Sequence, residues 1–73
     1  MISHINGHLI EIIGNRIVVD VGGIGYELEL TSTALNNLPP TSSDISLYAL
    51  FVVRDDAQLL YGFSSLSERE VFR

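Results

Sequence analysis

The sequence predicts an all-β fold: a small closed barrel of five short strands, with a helical turn before the fourth strand and the beginning of a helix at the end. Three observations carry that prediction. Apolar residues alternate with polar ones or run in β-branched blocks, and no long stretch shows the 3.6-residue period of an amphipathic helix. The pairs Gly14-Asn15 and Gly22-Gly23 punctuate the first half as hairpin turns would. At 73 residues the chain is long enough for one small domain.

The first strand spans Ile2 to Ile13, with a kink expected at Gly7. Gly14-Asn15 suits a two-residue hairpin connection, and Arg16 to Val21 follows as a second strand rich in β-branched residues. Gly22-Gly23 makes the next turn, and Tyr26 to Leu30 the third strand. There Tyr26, Leu28 and Leu30 share one face while Glu27 and Glu29 share the other, so one side is buried and one is wet. Thr31, Ser32 or Thr33 can cap a short helical turn through Ala34, Leu35 and Leu38. Pro39-Pro40 ends it, and Thr41 to Asp44 reads as loop.

The fourth strand runs from Ile45 to Val53, and the polar stretch Arg54-Asp55-Asp56-Ala57 interrupts it. Gln58 to Phe63 returns as the fifth strand, which closes a barrel over residues 1–63. From Ser64 to Arg73 the pattern becomes helical: Ser65 with Glu68, and Ser67 with Glu70, both have capping-box spacing. A helix that stops within two turns is marginal alone, so 64–73 reads as the start of an element leading into a further domain. Five short strands with a helical insertion before the fourth suggest a Greek-key barrel of the oligonucleotide/oligosaccharide-binding (OB) type. That architecture does not by itself specify a function.

Hydrophobic residues make up 47% of the chain and mean hydropathy is +0.32, high for a domain with so small an interior. Apolar side chains are therefore expected at a contact with another subunit or domain, the alternative being two-sided burial within one closed barrel. The absence of cysteine excludes disulfides and thiolate metal sites. The opening MISHINGHLIEIIG lacks the basic-then-apolar pattern of a signal peptide, and no apolar run is long enough for a membrane helix, so a cytoplasmic protein is expected. Four arginines, no lysine and nine acidic residues give a net charge of −5 with no basic cluster. Phosphate contacts supply much of the affinity of DNA-binding domains, so this chain alone should bind DNA weakly or not at all.

Few residues suggest site chemistry. His4 and His8 share strand parity, but four residues of strand separate them by about 13 Å, too far for one metal ion. The segment GGIG at 22–25 is not followed by a helix carrying Lys-Ser/Thr, so it is no phosphate loop. Asp55 and Asp56 would point to opposite strand faces with no third acid nearby in sequence, which argues against a metal or catalytic pair. No nucleophile and base, metal set or cofactor loop emerges, so neither an enzyme nor a cofactor is expected. From the residues alone Asp55-Asp56 is an ordinary solvated turn.

Two blocks change that expectation. VGGIGYELEL at 21–30 and FVVRDDAQLLYGF at 51–63, together with the opening MISHINGHLIEI, resemble the N-terminal domain of the RuvA family of Holliday-junction branch-migration proteins. The resemblance runs from Met1 to about Phe72, and the 51–63 block is its more specific part. It implies a non-catalytic role in recombination, repair and the SOS response, with four-fold symmetric tetramers formed through the barrel. It also implies a following helix-hairpin-helix domain that carries most contacts to four-way junction DNA. A RuvB-like ATPase, and a RuvC-like resolvase, would be further partners of the full-length protein. Asp55 and Asp56 match the family's acidic pin, and Arg54 beside them would contact a phosphate or tether the carboxylates, unless it forms only a local ion pair. RuvA-like chains often place basic residues in the opening strand, where this one has His4 and Asn6, which puts any phosphate contact there in doubt. The rival expectation is a self-associating interaction module with no DNA role of its own.

Overall fold

A computed structural model describes residues 2–72. Five strands close into a barrel: β1 (His4–Ile13), β2 (Arg16–Val21), β3 (Ile24–Leu30), β4 (Asp44–Arg54) and β5 (Ala57–Phe63). Their order around the barrel is β1-β2-β3-β5-β4, with β4 returning to β1. The β3–β5 pairing is parallel and the other four are antiparallel. Helix α1 (Ser32–Asn36) bridges β3 and β4, and α2 (Leu66–Phe72) follows β5. This is the Greek-key barrel that the sequence predicts.

The turns explain the first two hairpins. Gly14 has φ +61° and Asn15 does not enter the positive region, the pattern of a II′ turn. Gly22 and Gly23 sit at φ +61° and +91°, as a I′ turn requires at both central positions. Both turns match the right-handed twist of the strands they join.

Alternation fills the interior. Leu9, Ile17, Val19 and Leu28 are wholly buried, and Ile5, Leu30, Ala34, Ile45 and Leu47 complete the cluster. Ile17 pairs with Leu28 across β2–β3 and Leu9 with Val19 across β1–β2, so each pair delivers two side chains to the same face. Thr31 is the N-cap of α1, its hydroxyl accepting from the Ala34 amide at 3.2 Å, which selects one of the three candidates. Ala34 is the residue that α1 buries.

Several expectations are corrected. β1 does not kink at Gly7, because His4 to His8 pair in unbroken register with β4. The irregularity is a bulge at Ile10, where the β1–β2 register skips from Leu9 to Glu11. Gly7 is there because the chains approach closely: a Cβ would collide with the Asp20 carbonyl oxygen and lie 2.9 Å from Val19 and Val21 side chains. β1 starts at His4 rather than Ile2, and β3 at Ile24 rather than Tyr26, since Val21 pairs with Ile24 directly across the turn. Ser65 alone begins α2, so Ser67 lies inside the helix and caps nothing at its start. Met1, the start of the expected barrel span 1–63, and Arg73, the end of the expected helical stretch, lie outside the described residues.

Candidate functional site

The strand registers place the acidic pair at the end of a projecting ribbon. β4 pairs with β1 only from Asp44 to Tyr48, and the last rung there is the Ala49 amide donating to the Ser3 carbonyl at 2.8 Å. β5 pairs with β3 only at Tyr61 and Gly62. From Leu50 to Leu60, therefore, β4 and β5 pair only with each other among the described residues, ending on Arg54 opposite Ala57. Six residues from Tyr48 to Arg54 carry the tip about 20 Å past the last β1 pair. Because β5 runs parallel to β3, the tip points toward the barrel end that carries the Gly22-Gly23 turn.

Asp55 and Asp56 form the two-residue connection, and both are exposed. Neither has a positive φ, since Ser42 is the one described non-glycine residue that does. The connection is thus not a primed turn, and its twist matches the ribbon less well than the two glycine turns match theirs. Arg54 is exposed and makes no ion pair among the described residues, so neither a tether to the carboxylates nor a local salt bridge is present. The two aspartates stand as uncompensated negative charge at a protruding point.

The other sequence candidates are scattered. His8 Nδ1 lies 2.8 Å from Asp44 Oδ1, a surface pair across β1–β4. His4 pairs with Tyr48 in the same ladder. Among the described residues no group of three or more His, Cys, Asp or Glu is placed to hold a metal ion. Arg16 is 3.3 Å from Glu27 and 3.9 Å from Glu29, which leaves it engaged on the outer face of β2–β3. Among the described residues no helix is long and apolar enough to cross a membrane.

Sequence reasoning missed what α2 does. The Ser65 hydroxyl accepts from the Glu68 amide at 3.2 Å, while Glu68 Oε1 accepts from the Ser64 amide at 3.2 Å. This is a capping box with its return bond shifted by one residue. The second Glu68 oxygen accepts from the Thr31 hydroxyl at 2.9 Å, joining the caps of both helices. Phe72 packs at 5.0 Å from Tyr61 and 5.2 Å from Phe63, ring centre to ring centre. Arg69 reaches Ser3 and Tyr48, and its side chain is only 13% exposed. An arginine four residues into a short helix gave no sequence signal for such burial.

Known proteins resemble the chain along its whole length. The model of the RuvA N terminal domain matches residues 1–62. The chain is 51% identical to the Holliday junction branch migration complex subunit RuvA of Shewanella denitrificans, and 53% to that of Idiomarina loihiensis. The subunit of the same name from Vibrio cholerae is 47% identical. Each match covers all 73 residues of this chain and 36% of the relative, so the chain spans about a third of the length of these curated relatives.

Proposed function

Since the chain belongs to the family of RuvA N-terminal domains, we propose that it is the oligomerisation and junction-shaping domain of a RuvA-type subunit, acting without catalysis on Holliday junctions. The observation that carries this is the uncompensated Asp55-Asp56 pair at the tip of a ribbon that leaves the barrel. In a four-fold assembly, one pair per subunit would bring carboxylates together at the axis. Two unit charges about 6 Å apart at an effective dielectric near 20 repel by about 3 kcal/mol before screening. Phosphates at the crossover would meet that repulsion, which shapes the path of the strands more than it adds affinity. Arg54, free of protein partners among the described residues, is available to a phosphate on the flank of the pair.

The partners follow from the same role. A homotetramer, four-way junction DNA bound largely by other domains, a RuvB-like ATPase and a RuvC-like resolvase complete the proposal, in the cytoplasm. Exposed Ile10, Ile12, Ile13, Ile24 and Val53 support self-association, since each is 46% or more exposed on a single chain.

The test places this chain in the Shewanella denitrificans relative, in place of the 73 matching residues. Together with the RuvB-like ATPase the chimaera is expected to migrate junctions, and Asp55→Asn with Asp56→Asn to alter the strand path at the crossover while leaving the fold intact. Unchanged migration rate and path in the double variant would remove the carboxylates from the mechanism.

A further inference from the structure

Arg69 sits where the ribbon is rooted. The Ser3 carbonyl accepts twice, from the Ala49 amide at 2.8 Å and from Arg69 Nη1 at 2.9 Å. The first bond is the last rung holding β4 to the β1 side of the barrel, and beyond it β4 has only β5 as a neighbour. The guanidinium carbon also lies 5.7 Å from the centre of the Tyr48 ring, one residue before that rung. The Arg69 Nε is buried with no hydrogen-bond partner, so the side chain is held in place at a desolvation cost that a solvated surface arginine would avoid.

The rest of α2 presses on the same place. Tyr48 pairs with Phe63 and Leu50 with Tyr61, so these four side chains share the outer face at the base of the ribbon. Phe72 covers the Tyr61 and Phe63 rings on that face. The Thr31–Glu68 bond fixes the other end of α2 to the start of α1. A two-stranded ribbon has little stiffness of its own. Its direction is set by whatever grips its base.

We propose that Arg69 is a positioning residue for the hairpin: by binding Ser3 and covering Tyr48 it clamps α2 to the ribbon's root and fixes where the Asp55-Asp56 tip points. The consequence for junctions rests on the function proposed above, whereas the clamp itself is a property of the chain. It also couples the direction of the tip to the direction in which α2 leaves the barrel.

The chain has no cysteine, so two introduced ones can carry spin labels without interference. Gln58→Cys on the ribbon and Thr33→Cys on α1 are both exposed positions. Pulsed electron resonance then gives the distribution of distances between ribbon and barrel. Arg69→Met keeps the apolar stem and removes the guanidinium; it is expected to widen the distribution at least twofold and to speed exchange of the Ala49 amide about tenfold. Exchange at Leu28 should not change, and Arg16→Met should leave the width as it is. Tyr48→Leu, which removes the ring but not the strand register, should widen the distribution to a smaller extent. An unchanged width in Arg69→Met overturns the proposal, and if that variant does not fold, an unchanged width in Tyr48→Leu does so. Asp55→Asn with Asp56→Asn should leave the width untouched, so a failed clamp and a failed acidic tip give different results.

Discussion

Gly7 and Gly14 show two different demands on one residue type. At Gly14 a Cβ would meet nothing within 4 Å, yet φ is +61°; at Gly7 the backbone is extended but the neighbours leave no room. Gly7→Ala is expected to cost near the top of the overpacking range of about 1–3 kcal/mol, because a carbonyl oxygen in a paired strand cannot move aside. Gly14→Ala should cost only the left-handed strain of about 1–2 kcal/mol. Urea denaturation of the two variants, compared by midpoint at equal slope, checks the ranking. The acidic tip makes the opposite point. Its two aspartates hold negative φ in a two-residue connection, where Asn-Gly in a primed turn would match the strands better. Asp55→Asn with Asp56→Gly should therefore raise stability by about 0.5–1 kcal/mol, as turn optimisation commonly does, while removing the charge. Loss of stability in that variant would mean the aspartates are there for the turn. The dipeptide was legible in the sequence as polar turn residues, and the family resemblance supplied its expected role. Its exposure without an ion pair needed the surroundings of both strands.

Among the elements, β2 is bounded as its β-branched run and flanking glycines predict, from Arg16 to Val21. The third strand, the helical turn and the last two strands also lie where their patterns place them, with ends moved by one or two residues. The bulge at Ile10 was not legible: nothing in a run of isoleucines marks which residue the neighbouring strand will skip. The joining of α1 to α2 was equally hidden, since Thr31 and Glu68 are 37 residues apart. Thr31 serves twice there, accepting from Ala34 and donating to Glu68. Thr31→Val, which keeps the shape and removes the hydroxyl, should cost about 1–2 kcal/mol, more than Ser32→Ala at the exposed neighbouring position. Thermal melts of the two variants would show it, and equal losses would remove the cap-to-cap link from the account.

For the whole molecule, the balance between apolar surface and net charge governs behaviour in solution. Ile10, Ile12 and Ile13 stand exposed near the β1–β2 turn, and Ile24 and Val53 toward the end where the ribbon projects. Light scattering across a concentration series is expected to show assembly beyond the monomer, strengthened by salt, because screening weakens repulsion between chains of charge −5. A monomer at all concentrations and salts would mean that this surface needs other domains to assemble. The same charge predicts weak binding of duplex DNA by the chain alone, with gel-shift titration at low salt as the check.

The sequence by itself determined the class of fold, the number of strands and their places along the chain, both glycine hairpins and the identity of the acidic dipeptide. These rest on period, turn chemistry and local preference, all of which act over a few residues. Only the tertiary structure decided that β4 and β5 outrun their neighbours, because a strand's free length depends on where its partners stop. Only the closed barrel brought Ser3, Tyr48 and Arg69 together, since their positions in the chain are far apart and their contact follows from strand order. What a residue is could be read along the chain; what it leans on required the barrel to close.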